Sequence, residues 1–231
     1  HSILESFLFP LPLTVIKFKR AISMPKPGIP CINCDLTHNE FINEFTNQIS
    51  VSDINTLADC DKKFYEYRKL NYQRSTRLEK TFIPVEETKQ IFSNIKSPQK
   101  WIVITESWCG DSAQNLPVIA KLAQLNSNID FKIVLRDSNL EFMDLHLTNT
   151  SRAIPKLVVF DENNNELFQW GPRPVEAQNL FSRLKNDGIE KSEINKELHL
   201  WYGRNRGKEV EREITELVRY HQSYSTIEKI S

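Results

Sequence analysis

The hydrophobic period of the chain changes at Lys100, and that change restricts the fold more than any other feature of the sequence. Upstream, Phe41, Phe45 and Ile49, then Phe64, Tyr67 and Leu70, recur at the three- to four-residue spacing of a helix. Ile91, Phe92 and Ile95 continue that spacing through residues 85–95, until Ser97-Pro98 ends it. Residues 100–105 are instead a β-rich run, Trp-Ile-Val-Ile, followed by a short loop and a helical pattern over residues 113–125. Residues 129–135 are strand-like, 139–147 helical and 156–161 strand-like through Leu157, Val158, Val159 and Phe160. Asn163-Asn164-Asn165 turns the chain into a further strand at residues 166–170, which predicts an antiparallel hairpin, and residues 174–185 are helical. The order β, α, β, α, β, β, α predicts an α/β fold: a mixed central sheet with right-handed crossovers, flanked by helices.

The remaining sequence organises around that unit. The 231 residues suffice for one main domain with a substantial core. Residues 1–38 are expected to be a tail, disordered or non-native, because the chain begins at His1 and five of its eleven prolines fall in the first 30 residues. Residues 39–84 are predicted to be a helical preface, 85–188 the main domain, and 189–231 a charged helical extension with Val210, Ile214, Leu217 and Val218 on one face and Trp201-Tyr202 as an anchor. The apolar stretch at residues 3–18 has Glu5 near its start and Lys17, Lys19 and Arg20 at its end, the reverse of a signal peptide. Pro10 and Pro12 break it, and it is shorter than the ~20 residues of a spanning helix, so no membrane association is expected. Thirty basic and thirty acidic side chains cancel, which gives no argument for a nucleic-acid partner. Four cysteines in a chain this long do not make a disulfide scaffold, and the expected setting is reducing and cytoplasmic.

The loop between the first strand and its helix reads Trp108-Cys109-Gly110-Asp111-Ser112. A cysteine placed after a buried strand and before a helix faces unpaired backbone N–H groups and the positive end of the helix dipole, which stabilise thiolate over thiol. The thiolate is the attacking form in disulfide exchange, so this placement is a recipe for a reactive sulfur. The plainer reading of Cys109 is a small buried core residue.

Several further landmarks make the loop specific. Pro117 lies eight residues after Cys109; Ile154-Pro155 precedes a hydrophobic strand; Gly171 follows sixteen residues after Pro155. Together with Trp108-Cys109-Gly110 these resemble the thioredoxin family over roughly residues 85–185. The resemblance implies a thioredoxin fold, Cys109 as the nucleophile, and a cis Pro155 whose backbone, with Ile154 and Arg152 beside it, lines a substrate groove opposite the cysteine. More narrowly, Glu106-Ser-Trp-Cys-Gly-Asp-Ser-Ala-Gln, Arg152-Ala-Ile-Pro-Lys-Leu and Trp170-Gly-Pro-Arg-Pro, with residues 71–81 and Trp201-Tyr202, resemble a bacterial thioredoxin-like branch with a Trp-Cys-Gly-Asp-Ser/Ala loop, whose substrates are undefined. Three positions depart from ordinary thioredoxins. Ser112 replaces the resolving cysteine, Asp111 replaces proline and opposes ionisation of the sulfur, and Val103 stands where the buried acid would be.

These features predict a monothiol oxidoreductase: Cys109 attacks a disulfide or adduct of a protein or a low-molecular-weight thiol, and an external thiol completes the cycle. A non-catalytic binding module using the same groove is the alternative. Similarity of Cys-Gly-Asp-Ser to the Cys-Gly-Phe-Ser loop of monothiol glutaredoxins suggests iron–sulfur binding as a third. No cofactor and no metal are expected: Cys31-Ile-Asn-Cys34, with His38 and Cys60 as further ligands, matches no standard zinc spacing. Seven basic residues against two acidic over residues 62–80, interleaved with Phe64, Tyr65, Tyr67 and Tyr72, suit an anionic or nucleic-acid partner, and a helix with a buried aromatic face and a solvated basic face explains them equally. Arg152 is expected to pair with Asp111 or to orient an anionic substrate.

Overall fold

A computed structural model describes residues 35–228. The run at residues 3–18, Cys31 and Cys34 lie outside the described residues. Four strands, β1 (Gln99–Thr105), β2 (Ile129–Leu135), β3 (Lys156–Phe160) and β4 (Glu166–Trp170), form one sheet in the order β2-β1-β3-β4. β1 is parallel to β2 and antiparallel to β3, and β3 and β4 form the expected hairpin, with Leu157 opposite Trp170. Asp161 shapes the hairpin turn by accepting hydrogen bonds from the backbone N–H groups of Asn163 and Asn165, both at 2.8 Å.

β1 is central and covered on both faces, which is why it reads as an unbroken apolar run rather than an alternation. Its side chains still alternate. Trp101 and Val103 enter a large core with Phe41, Phe45, Phe92, Ile119 and Ile214, whereas Ile102 and Ile104 enter a smaller one with Cys109, Phe142, Met143 and Ile154. Val103, at the position of the thioredoxin buried acid in the resemblance, therefore faces the core that does not hold Cys109. The helices are α1 (His38–Ile49), α2 (Asp59–Thr81), α3 (Glu86–Ser93), α4 (Gly110–Ala123), α5 (Leu140–Asp144), α6 (Val175–Asn186), α7 (Lys191–Asn205) and α8 (Lys208–Glu228). Thr37 and Glu40 form a reciprocal capping box at the start of α1. Leu36, assigned to the tail by sequence, exchanges backbone hydrogen bonds with Ile133 of β2, both at 2.8 Å.

The helical preface is two helices with a 3₁₀ turn at Ile54–Thr56 between them, and α2 packs along α4. One contact explains their pairing. Pro117 lies inside α4 and has no N–H, so the carbonyl of Ala113 loses its helical donor; Ser75 Oγ of α2 donates to that carbonyl at 3.2 Å. The terminal extension, read as one helical stretch, is also two helices. Arg206 (φ 56°) and Gly207 (φ 84°) take left-handed conformations between α7 and α8, so the two pack on different parts of the domain. α8 carries Val210, Ile214 and Val218 into the large core, and α7 joins α6 in a third cluster through Ile194, Leu198 and Tyr202. Among the described residues no helix is long and apolar enough to cross a membrane.

Gly207 is required by space as well as by torsion: a Cβ there would lie 2.6 Å from Val118 Cγ2 and 3.3 Å from the Phe82 ring. Gly207→Ala should therefore cost roughly 2–3 kcal/mol, read as a lowered urea midpoint with an unchanged denaturant slope. A wild-type midpoint would show that the corner is not held by packing.

Candidate functional site

Cys109 is the N-cap residue of α4, with extended torsions (φ −80°, ψ 119°), and its carbonyl accepts the first helical hydrogen bond from Ala113 N–H at 3.1 Å. The loop before it is held from α2. Asn71 Nδ2 donates to the Ser107 carbonyl at 3.1 Å, Arg68 Nε donates to Ser107 Oγ at 3.3 Å, and Ser107 Oγ donates to Gln48 Oε1 of α1 at 2.6 Å. Trp108 stacks on Phe64 of α2 at 5.3 Å between centroids, and the Arg136 guanidinium lies 4.8 Å from the centre of the Trp108 ring. Glu106 is buried; its carboxylate accepts the Asp137 N–H at 2.9 Å, and burial raises its pKa. Its role in the motif is to tie the loop to the end of β2.

The sulfur sits against the residues that the sequence placed opposite it. The Ile154–Pro155 bond is cis, and the Cys109 thiol donates to the Ile154 carbonyl at 3.4 Å. Ile154 and Pro155 are both buried. Gly171 lets its own backbone lie against Pro155: at φ 111°, a Cβ there would lie 2.3 Å from the Pro155 carbonyl oxygen.

Asp111 departs from expectation in its partner. Arg152 does not reach it; its guanidinium forms a two-point pair with Asp144 at the end of α5, at 2.6 and 2.7 Å, near the surface. The cation on Asp111 is Arg173, at 2.6 Å, and Tyr202 of α7 donates its hydroxyl to the same carboxylate at 2.9 Å. With Leu157 opposite Trp170, the segments holding Arg152 and Arg173 leave the β3–β4 hairpin at the same end, and it is Arg173 that meets the first turn of α4. The Tyr202 oxygen also accepts from Asn115 Nδ2 at 3.3 Å, and the same amide donates to the Pro172 carbonyl at 3.0 Å. Burial pushes the Asp111 carboxyl up, against the downward pull of Arg173 and then Tyr202.

Burial also dominates at the sulfur. The Cys109 thiol is pushed up to about 11, first by burial and then by the Asp111 charge, while the Ser112 hydroxyl and the N–H groups of the first helical turn pull the other way. The helix end alone does not make this cysteine a thiolate at neutral pH. His199 of α7 packs its ring on Gly110, where a Cβ would lie in tight contact, 3.1 Å from both Cε1 and Nε2. Burial, then the charges of Arg74 and Arg173, pull His199 down to about 4, which leaves it neutral near pH 7. Cys109, Gly110 and Asp111 line a cleft of about 860 Å³ between α2 and α7.

The site therefore includes five residues not chosen from sequence: Arg173, Tyr202, Arg74, His199 and Ser75. Two carried a signal, since Arg173 lies in Trp170-Gly-Pro-Arg-Pro and Tyr202 in the Trp-Tyr pair read only as an anchor. Arg74 and Ser75 fall within the stretch at residues 71–81 without a role attached to either. His199 had no signal. Among the described residues no group of His, Cys, Asp and Glu could hold a metal ion.

The sheet, the cysteine at the start of α4 and the cis-proline beside it define a thioredoxin-like fold with N-terminal and C-terminal helices added. A thioredoxin family model matches residues 58–185, more than half the chain, and the protein belongs to that family. Among solved structures, a Pseudomonas aeruginosa protein of unknown function superposes with a TM-score of 0.50 at 16% identity, covering 79% of this chain and 97% of its own. An HIV epitope scaffold superposes with a TM-score of 0.48 at 18% identity, covering 79% of this chain and 98% of its own. A search of curated proteins gave no match.

Asp111→Asn removes the charge that opposes ionisation of Cys109 and leaves the Arg173 charge nearby, so the cysteine pKa should fall by about half a unit or more. The same change leaves a mostly buried guanidinium without its counter-charge and should cost about 3 kcal/mol of stability. Iodoacetamide alkylation against pH, with Cys31, Cys34 and Cys60 replaced by serine, reads the first; urea unfolding reads the second. An unchanged pKa would mean that the Asp111 charge does not act on the sulfur.

Proposed function

We propose that the protein is a monothiol thioredoxin-like protein that exchanges disulfides through Cys109, with the second thiol supplied from outside the chain in a reducing compartment. The observation that supports this reading most is the placement of Cys109 at the N-cap of α4, on the wall of an open cleft and beside Pro155, with Ser112 where an internal resolving thiol would stand. The Cys109 thiolate attacks one sulfur of a disulfide, forms a mixed disulfide and releases the other half as a thiolate. An external thiolate then attacks the partner sulfur of that mixed disulfide, leaves in a new disulfide and restores the Cys109 thiolate. Substrates of this chemistry are protein disulfides or low-molecular-weight disulfides.

The raised thiol pKa favours a second reading, a binding module that keeps the groove and leaves the cysteine idle. At pH 7 a group with a pKa of about 11 is a thiolate in only about one molecule in ten thousand. The two readings differ in rate. If Cys109 exchanges, its reaction with a small aromatic disulfide, in protein lacking the other cysteines, rises about tenfold per pH unit above pH 7 and levels off only near the thiol pKa. Wild type should not turn over insulin disulfides, and Ser112→Cys should gain measurable turnover because an internal thiol can now release the substrate. No Cys109 adduct at any pH, with the fold intact, would leave the binding module standing.

A further inference from the structure

The cleft that reaches Cys109 is not the groove beside Pro155. Its walls come from the added helices: Phe64, Tyr67, Leu70 and Arg74 from α2, and Lys191 and His199 among those from α7, with neither Ile154 nor Pro155 in its lining. At about 860 Å³ it has the size of a small-molecule site and not that of a shallow protein-docking surface. Its lining combines two kinds of chemistry. Phe64, Tyr67 and Leu70 of α2 are aromatic or apolar, with Tyr67 56% exposed and Leu70 44% exposed. Arg74 of α2 and Lys191 and Lys196 of α7 are cationic.

Arg74 is the informative member. It is half-buried, and it donates a hydrogen bond from Nη1 to Asn71 Oδ1 at 3.0 Å. Among the described residues no carboxylate lies within 4.0 Å of it, and the nearest acidic group in the cleft, Asp111, already holds Arg173 and Tyr202. The Asp111 charge acts on Arg74 only from beyond ion-pair distance and is shared with Arg173, so an anion entering the cleft would give this half-buried guanidinium a direct partner. Lys191, at the first turn of α7, likewise has no carboxylate within 4.0 Å among the described residues. The guanidinium lies within reach of the sulfur's own loop: a Cβ on Gly110 would be 3.8 Å from Arg74 Nη1.

From this arrangement we infer that the cleft between α2 and α7 binds a low-molecular-weight thiol carrying at least one carboxylate, which Arg74 and Lys191 hold while its sulfur resolves the mixed disulfide on Cys109. The inference rests on the exchange chemistry proposed above for the role of the ligand, and on the cleft alone for its binding. The bound thiolate attacks the substrate-side sulfur or Cys109 Sγ of the mixed disulfide. In the first case Cys109 leaves as thiolate. In the second the substrate leaves as thiolate and a second molecule of the small thiol frees Cys109, its electrons passing into a disulfide of the small thiol.

Two measurements separate the cleft from the chemistry. In the first, S-methylglutathione, which carries carboxylates and has no free thiol, is titrated into the Cys109→Ser protein by calorimetry. Binding is expected, weakened at least fivefold in Arg74→Gln and severalfold in the exposed variant Lys191→Gln. No binding, or a loss in Arg152→Gln in place of Arg74→Gln, would overturn the cleft as the site. In the second, Cys109 is converted to its mixed disulfide with thionitrobenzoate, and release is timed with glutathione and with 2-mercaptoethanol. Each rate is divided by the thiolate concentration, and the two are taken as a ratio within one protein so that any change at the sulfur itself cancels. Glutathione should be favoured at least fivefold in the protein with native Arg74, and the preference should vanish in Arg74→Gln. Equal ratios in both would overturn the resolving role even if the ligand binds. Binding of S-methylglutathione without release by any thiol would overturn the exchange chemistry and keep the site.

Discussion

The contact on which the site depends is the buried pair of Asp111 with Arg173, completed by the hydroxyl of Tyr202. It gathers three separate parts of the chain at one carboxylate: the first turn of α4, the connection between β4 and α6, and α7. Removing two charges from water costs several kcal/mol for each, and mutual attraction returns that only when the geometry is good and the remaining lone pairs are used. Here the second acceptor position is used by Tyr202, and the tyrosine oxygen is in turn satisfied by Asn115. The arrangement contributes little net stability of its own. Its consequence is positional, because α7 cannot leave the active-site loop without taking the Tyr202 hydrogen bond away from a buried carboxylate.

The character of the cysteine follows from that closure. A helix N-terminus shifts a nearby thiol toward thiolate, and in open sites of this kind the shift is enough to bring the pKa to about 7 or below. Here α2, α7 and Trp108 enclose the loop, and desolvation outweighs the helix end; the Asp111 charge adds to it. His199 belongs to the same balance. Pulled down to about 4 by burial and by two neighbouring guanidinium groups, it fills the space over Gly110 as a neutral ring and brings no positive charge to the sulfur. The added helices therefore raise the Cys109 pKa by burying the thiol, and they also build the walls of the cleft that reaches it.

The sheet was legible in the sequence because its signals are local. The strands at residues 129–135 and 166–170 have the boundaries that their apolar pattern and flanking turns suggested, and β1 betrays its central position by being apolar throughout. The loop was legible through its resemblance to thioredoxins, in which Cys109, Pro117, Pro155 and Gly171 match separate landmarks. What could not be read is the pairing of charges. Arg152 and Arg173 both lie next to proline motifs and both leave the same end of the hairpin, and only the tertiary structure shows that Arg152 pairs with Asp144 and Arg173 with Asp111. Nor does a helical, charged C-terminal sequence reveal that it bends at Arg206–Gly207, and without that bend Tyr202 and His199 could not face α4 while Val210 and Ile214 enter the core.

The most direct test of this account is whether the carboxylate and the tyrosine hydroxyl act as one unit. A double-mutant cycle on Asp111→Ala and Tyr202→Phe, measured by urea unfolding, gives their coupling free of each residue's separate losses. A coupling of about 1 kcal/mol or more is the result that the buried network requires. Additivity within about 0.3 kcal/mol would contradict it, and α7 would then be a helix resting on the domain and not a wall of the site.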